Sequence, residues 1–150
     1  MKGRLQRLRG EIADHGLDAL LISQPENRRY LSGFTGSAGF LLVTESTAFL
    51  ATDFRYTEQA QKQAPDFDVH RIEGEMQTWL PPLMSGVPGR KVGFEANGVT
   101  FHTYRQMAGA VGDKDLVPTE GLVENLRAVK DRGELDLILR AVEISDAAIE

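Results

Sequence analysis

A chain of 150 residues suits one domain and is short for two, and its 41% apolar and 26% charged residues exclude a disordered protein. Its 22 acidic and 17 basic residues give a net charge of −5, which disfavours a nucleic-acid partner, and no apolar run approaches the roughly 18 residues of a membrane span. The chain has no cysteine for a disulfide or a thiolate metal site, and no apolar segment follows its basic N-terminus, so we expect a cytoplasmic protein without a signal peptide.

The N-terminal part of the chain predicts a helix and then a buried strand. Apolar residues recur at helical spacing over residues 4–14, on a face formed by Leu5, Leu8 and Ile12. Residues 18–23 are a continuous apolar run too short for a helix, which favours a strand covered on both faces of its sheet. Residues 27–31 have no clear period, and either a short helical turn or an extended segment fits them.

A glycine-rich loop then leads into a hairpin. Residues 33–39 contain three glycines with Thr and Ser between them, a composition typical of a flexible, polar loop that exposes Phe34 and carries binding residues. The apolar runs 40–44 and 47–52 are separated by a two-residue turn, and they must pair antiparallel because a parallel crossover needs a dozen or more residues. A helix is predicted over residues 55–64, where it ends before a proline.

Strands and helices alternate in the second half of the chain. Strands are predicted at 67–72, 91–95 and 115–118, and helices at 76–84 and 100–110. We expect Pro81 and Pro82 to kink or end the first of these helices. Pro118 is typical of a strand at a sheet edge. Trp79 lies on the apolar side of its helix, which favours a core position over contact with a cofactor.

The predicted helix from Asp131 onward has a stripe of aliphatic side chains, formed by Leu135, Ile138, Leu139, Val142 and Ile149. Such a stripe needs a surface to pack against. The helix could dock back on its own domain. We favour the alternative that a second domain begins here, because the helical pattern continues to Glu150 without a cap or a basic last turn.

Side chains that could perform catalysis or hold a metal are scattered along the chain. His15, His70 and His102 lack ligand spacing, and we interpret each as a surface or partly buried histidine. Neither a calcium loop nor a serine nucleophile elbow occurs. The loop at 33–39 precedes a strand, whereas phosphate-binding loops follow a strand and open a helix, so nucleotide binding is disfavoured.

The segment 53–56 follows the hairpin, at a strand end where α/β sheets often place ligand contacts. Two interpretations stay open. Arg55 and Tyr56 could contact a ligand. Alternatively, and in our preference, Thr52 or Asp53 caps the next helix and Tyr56 packs inward.

Three segments, taken together, resemble one known family. Residues 18–37 are similar to the pattern D-A-L-L-I-x-x-P-x-N-x-x-Y-L-[ST]-G-F-x-G-[ST] of the prolidase, aminopeptidase P and creatinase group. Residues 52–56 are similar to its T-D-x-R-Y, and residues 126–135 to the L-R-x-x-K-x-x-x-E-[IL] of its interdomain helix. The order and separations match over essentially the whole chain.

The resemblance implies the creatinase/prolidase N-terminal domain, a three-layer α/β sandwich with a mixed sheet covered by helices. It implies that residues 1–125 form this domain and that 126–150 form a linker helix to a catalytic "pita-bread" domain that these 150 residues do not include. In the family that second domain holds two divalent metal ions, commonly manganese, on two Asp, one His and two Glu. The full-length relative would hydrolyse the peptide bond before proline.

The resemblance also implies partners and contact residues. These partners are the chain's own catalytic domain, a second copy in a homodimer and a proline-containing peptide, with no nucleic acid or membrane. Carried over by position, the candidate substrate contacts are Phe34, Thr35, Gly36, Ser37, Arg55 and Tyr56, with no catalytic or metal-binding residue. Aminopeptidase, dipeptidase and creatine-type activities stay open, as does an alternative: a stand-alone protein-interaction module that uses the terminal stripe and the Phe34 loop.

Overall fold

The computed structural model describes residues 2–149, so Met1 and Glu150, at the ends of the predicted ranges, lie outside the described residues. Its six strands are β1 (Ala19–Ile22), β2 (Phe40–Thr44), β3 (Ala48–Thr52), β4 (Asp68–Arg71), β5 (Lys91–Glu95) and β6 (Asp115–Thr119). Its helices are α1 (Lys2–Asp14), α2 (Pro25–Ser32), α3 (Thr57–Gln63), α4 (Met76–Ser85), α5 (Phe101–Ala110), α6 (Leu122–Ala128) and α7 (Arg132–Ile149), with a short 3₁₀ turn at Ala96–Gly98.

The strands form one mixed sheet in the order β4-β3-β2-β1-β5-β6. The predicted hairpin is confirmed: β2 and β3 pair antiparallel, with Phe40 opposite Ala51. β2 is also antiparallel to β1, whereas the pairs β1–β5, β5–β6 and β3–β4 are parallel. The carboxyl ends of five strands therefore meet the amino end of β2 at one edge of the sheet, which is the edge where α/β proteins bind ligands.

Helices cover both faces of this sheet. Leu20 and Ile22 of β1 point into a core shared with α1, α2, α3 and α6. Ala19 and Leu21, which alternate with them, point into a second core under α4 and α5 that also holds Trp79. Because side chains alternate along a strand, a run that is apolar at every position must be buried on both faces. The predicted three-layer α/β fold with a mixed sheet is confirmed.

Two helices extend further than their sequence patterns indicate. For residues 27–31 the helical alternative is confirmed: they belong to α2, which starts at Pro25 and ends where Gly33 adopts a left-handed conformation with φ of 79°. The second, α4, continues through Pro81 and Pro82 to Ser85 and does not end at them. These prolines lie toward solvent, and so do Gln77 and Thr78, whose carbonyls lose a helical donor at Pro81 and Pro82. The opposite face of the helix is buried and holds it in place.

The predicted linker helix over 126–150 is not continuous. α6 ends at Ala128 after packing Leu122 and Val123 into the first core. α7 begins again at Arg132 with a reciprocal cap, in which Asp131 Oδ1 accepts the Glu134 N–H and Glu134 Oε2 accepts the Asp131 N–H. This capping box starts a new helix and separates it from α6.

No residue of α7 is buried, and its aliphatic stripe is exposed: Leu135, Ile138, Leu139, Val142 and Ile149 are between 47% and 86% accessible to solvent. The alternative that this helix docks back on its own domain is therefore wrong for the described residues. No helix in the part of the chain that the structure describes is long and apolar enough to cross a membrane.

The exposed stripe leads to a prediction about the isolated 150-residue chain. Each aliphatic side chain left in water forgoes roughly 1.5–3 kcal/mol of burial, so α7 should either fray or self-associate. Amide hydrogen exchange should be faster in α7 than in α5, or the apparent mass should rise with concentration in sedimentation. Slow exchange throughout α7 in a strictly monomeric sample would contradict this.

Candidate functional site

The two predicted contact segments lie side by side at the strand edge described above. The loop 33–39 leads into the amino end of β2, and residues 53–56 follow the carboxyl end of the neighbouring strand β3. Their tips are joined by a 2.8 Å hydrogen bond between the hydroxyls of Ser37 and Tyr56. The fold thus brings both segments together, although they are distinct in the sequence.

Phe34 does not point outward, so the prediction of an exposed Phe34 is wrong. Its side chain is 1% exposed and belongs to the first core. The ring meets Tyr56 edge to face, with 6.0 Å between centroids, and its backbone N–H donates to Ser32 Oγ. Gly36 lies directly on this ring: a Cβ at that position would come within 2.1 Å of it. Phe34 and Gly36 are therefore buried and shape the loop from beneath.

Thr35 and Ser37 are the exposed polar residues of the loop. The Thr35 N–H donates to Gln63 Oε1 at 2.9 Å, and Gln59 Nε2 donates to the Thr35 hydroxyl at 2.9 Å. Thr35, Ser37 and Arg29 line an open groove of about 330 Å³. Hydroxyl groups in such a groove can donate to or accept from a peptide backbone, and α3 holds Thr35 in position.

Arg55 is exposed and forms an ion pair with Asp53. Its Nε and Nη2 donate to the two carboxylate oxygens at 3.0 and 2.8 Å, and Asp53 Oδ1 also accepts the Arg55 backbone N–H. The hydrogen bonds from Arg55 hold the pKa of Asp53 below its usual range. The guanidinium lies 5.3 Å from the centroid of the Tyr56 ring, so the Asp53–Arg55 ion pair is fixed beside this ring.

The predicted cap of the helix after the hairpin is wrong. α3 begins at Thr57 with Tyr56 in the cap position and no side-chain cap hydrogen bond. Asp53 is turned toward Arg55, and the Thr52 hydroxyl donates to the Ala38 carbonyl at 2.7 Å. The inward packing of Tyr56, which was part of the same interpretation, is confirmed, since its partly buried ring contacts the first core.

Glu95, at the carboxyl end of β5, is a buried site residue that the sequence reasoning missed. It is 5% exposed, and its Oε2 accepts the backbone N–H groups of Ser23 and Gln24, both at 2.7 Å. Its Oε1 accepts from Asn27 Nδ2 at 2.6 Å. Burial raises the pKa of Glu95 above its usual range, against the lowering effect of these hydrogen bonds. The sequence signal that could have identified Glu95 was a charged residue at the end of a buried strand.

Asn27 extends this network toward α6. Its amide also donates to Glu124 Oε1 at 2.9 Å, and its carbonyl oxygen accepts from Arg127 Nη1 at 2.9 Å. The ends of β1 and β5 are thereby tied to α2 and α6. The hydrogen bonds of Glu95 and Asn27 within the chain thus hold this end of the sheet together.

The described residues do not fit a two-metal centre. Within residues 2–149, no three His, Cys, Asp or Glu side chains come close enough to hold a metal ion. His15 and His102 are exposed, the first in the turn after α1 and the second on α5, and His70 is on β4. We therefore derive no catalytic step through a metal from this chain.

The fold and the position of the loop agree with a family match. Residues 4–129 match the model of the creatinase/prolidase N-terminal domain. The chain belongs to this family. The resemblance seen in the three sequence segments is thus confirmed. The match ends at Val129, in the short connection between α6 and α7.

Relatives of this creatinase/prolidase N-terminal domain are mostly longer proteins. The chain is 35% identical over 145 residues to "Uncharacterized peptidase YqhT" of Bacillus subtilis, a match that covers 97% of the chain and 41% of the relative. The Xaa-Pro dipeptidase from Bacillus anthracis superposes with a TM-score of 0.94 at 34% identity, over 99% of the chain and 41% of that protein. The chain thus spans about two fifths of the length of these relatives.

A third match is to a domain of similar size. The N-terminal domain of the cytoplasmic peptidase PepQ from Mycobacterium tuberculosis superposes with a TM-score of 0.75 at 43% identity, over 83% of this chain and 98% of that one. A creatinase/prolidase N-terminal domain can therefore crystallise as a separate domain.

Proposed function

We propose that this chain is the non-catalytic N-terminal domain of a cytoplasmic, metal-dependent Xaa-Pro peptidase, and that it contributes to dimerisation and to substrate access. The observation that carries the proposal is the superposition on the Xaa-Pro dipeptidase from Bacillus anthracis over 99% of the chain. The metal ions, which we expect to be two manganese ions, would be held by the catalytic domain, because the described residues offer no ligand set.

The role in substrate access is assigned to the exposed part of the site. Thr35 and Ser37 present hydroxyls to the groove beside α2. The exposed Arg55, paired with Asp53, lies beside Tyr56. Tyr56 supports Ser37 through the hydrogen bond between their hydroxyls. Phe34 and Gly36, the other candidates, act from below by fixing the shape of the loop.

The isolated chain gives the first test. We expect calorimetric titration with Mn²⁺ to show no tight site and a purified, protease-free sample to leave an Xaa-Pro dipeptide intact, because the described residues supply no metal cluster. Two tight metal sites or unaided turnover of the dipeptide would overturn the assignment as a non-catalytic domain.

A chimera gives the positive test. The chain would replace the matching N-terminal 41% of the Bacillus anthracis dipeptidase, with that enzyme as the control. Hydrolysis of an Xaa-Pro dipeptide by the folded chimera is the expected result. A folded chimera that binds Mn²⁺ but has no activity would contradict the proposal.

One observation favours the alternative of a stand-alone interaction module: the aliphatic stripe of α7 is exposed. The other feature invoked for a module, an exposed Phe34, is lost because that ring is buried. The codons that follow Glu150 distinguish the two functions. A downstream set of two Asp, one His and two Glu supports the peptidase, and a stop codon supports the module.

A further inference from the structure

Within the described residues, Arg28 of α2 is a buried cation without a carboxylate partner. Its side chain is 3% exposed, although charged residues are seldom buried unless they are paired. Among residues 2–149, no Asp or Glu oxygen lies within ion-pair distance of its guanidinium. Burial lowers the pKa of Arg28, and the more distant carboxylates of Glu95 and Glu26 only partly offset this effect.

The guanidinium binds three backbone carbonyls instead. Nη1 donates to the oxygens of Ser23 and Gly39 at 3.0 and 2.7 Å, and Nη2 donates to the oxygen of Gly36 at 3.0 Å. Nε is buried and has no partner within the described chain. One side chain therefore connects the end of β1 to two points of the loop 33–39, and it spans that loop from within.

Side chains, and not backbone pairing, hold the loop in shape. Outside the helices and strands, no backbone–backbone hydrogen bond joins residues 34–38 to one another in the described chain. Gly39 is closely packed, since a Cβ there would come within 2.8 Å of the Ala51 carbonyl oxygen. The carbonyls of Gly36 and Gly39 would be buried without a donor if Arg28 were absent, and a buried, unpaired carbonyl is costly.

We propose that Arg28 is a positioning residue that fixes the 33–39 loop, so that Thr35 and Ser37 are held in one arrangement before any ligand binds. The importance of this arrangement for substrate rests on the proposed function, whereas the ordering of the loop does not. Arginine suits the task because its planar fork reaches several acceptors at once. A lysine ammonium is a single point and cannot occupy the positions of both Nη1 and Nη2.

The test compares Arg28→Met and Arg28→Lys with the native chain by amide hydrogen exchange and NMR shifts. In the native loop the N–H groups of Phe34 and Thr35 are hydrogen-bonded, so both report on its order. We expect their exchange to accelerate about 10- to 100-fold in Arg28→Met, as for the loss of charge-assisted hydrogen bonds. Arg28→Lys should restore part of the protection.

Two controls separate positioning from global stability. Arg29→Met changes the adjacent but exposed arginine and should leave the loop unaltered. The Val111 amide, bonded at the end of α5 in the other core, should exchange at the native rate in every variant. Loop exchange that is unchanged, or that accelerates equally with Val111, would overturn the proposal. If Arg28→Met does not fold, Arg28→Lys is judged by the same two outcomes.

The chimera separates this proposal from the proposed function. We expect Arg28→Lys to raise KM for the Xaa-Pro dipeptide about 3- to 30-fold with kcat little changed, because the loop would bind rather than react. A loosened loop with unchanged KM would leave Arg28 as the positioning residue and would contradict the role of the loop in substrate contact. A rigid loop in Arg28→Lys and Arg28→Met alike would overturn the positioning role whatever the activity.

Discussion

Replacing Phe34 by alanine is expected to lower the free energy of unfolding by about 3–5 kcal/mol, the range for removing a fully buried aromatic ring. The ring is 1% exposed and packs against Tyr56. It also lies against Gly36, so its removal would leave a cavity directly beneath the loop and withdraw the loop's only large apolar anchor. Urea denaturation followed by circular dichroism measures the change.

Phe54→Ala is the matched control, since the same atoms are removed from a ring three residues before α3 that is 68% exposed. We expect it to cost less than about 1 kcal/mol, as for surface substitutions. Equal losses in the two variants would contradict the burial of Phe34. Equal losses would instead support the exposed loop that its composition had indicated.

The central strands of the sheet were predictable because their sequence patterns reflect their burial. The runs 18–23, 40–44 and 47–52 are apolar at nearly every position, and this pattern requires cover on both faces. The two-residue turn left only an antiparallel pairing for β2 and β3. Local composition and the length of the turn were therefore sufficient for this part of the fold, and the family resemblance supplied the three-layer arrangement with a mixed sheet.

The interior of the site was not predictable by the same means. Glycine, serine and threonine around Phe34 indicated an exposed loop, yet the ring is held by Tyr56, which is 22 positions away in the chain. Arg28 and Glu95 were not singled out from the sequence, because charged side chains are usually exposed. Their burial depends on carbonyls and N–H groups from distant segments, and no local pattern encodes those partners.

Helix boundaries show the same division between local and tertiary causes. α2 has no clear apolar period because it buries Asn27 and Arg28 as well as Leu31. α4 passes two prolines because its opposite face is fixed in the second core. In both helices the tertiary contacts outweigh the local preference, as intrinsic propensity alone is a weak guide.

Replacing Glu95 is expected to have the second large effect on the free energy of unfolding. Glu95→Ala would leave the N–H groups of Ser23 and Gln24 without their acceptor, and the Asn27 amide would lose one of its two carboxylate acceptors. Each such group costs about 1–3 kcal/mol when it is left unpaired and shielded from water. We expect a loss of at least that size at neutral pH in urea denaturation, with the exposed Glu120→Ala as the matched control.

The same carboxyl group should make stability depend on pH. Burial raises the pKa of Glu95 above its unfolded value of about 4.5, so between these two values the folded chain holds a proton that the unfolded chain releases. The stabilising contribution of the proton is complete below about pH 4.5 and is lost as pH rises through the folded pKa. The free energy of unfolding should therefore fall across this interval, by about 1.4 kcal/mol for each unit of the rise in pKa.

The pH interval of this decline distinguishes Glu95 from the other carboxyl groups with a shifted pKa. Asp53 and Asp131 have a lowered pKa because of hydrogen bonds from Arg55 and Arg4, so their contributions are lost only as pH falls below about 3.8. Glu95→Gln removes the titrating group, and we expect it to abolish the decline above pH 4.5, whereas Glu120→Gln should retain it. A decline that persists unchanged in Glu95→Gln would show that another carboxylate titrates there, and the buried network of Glu95 would then not control the response to pH.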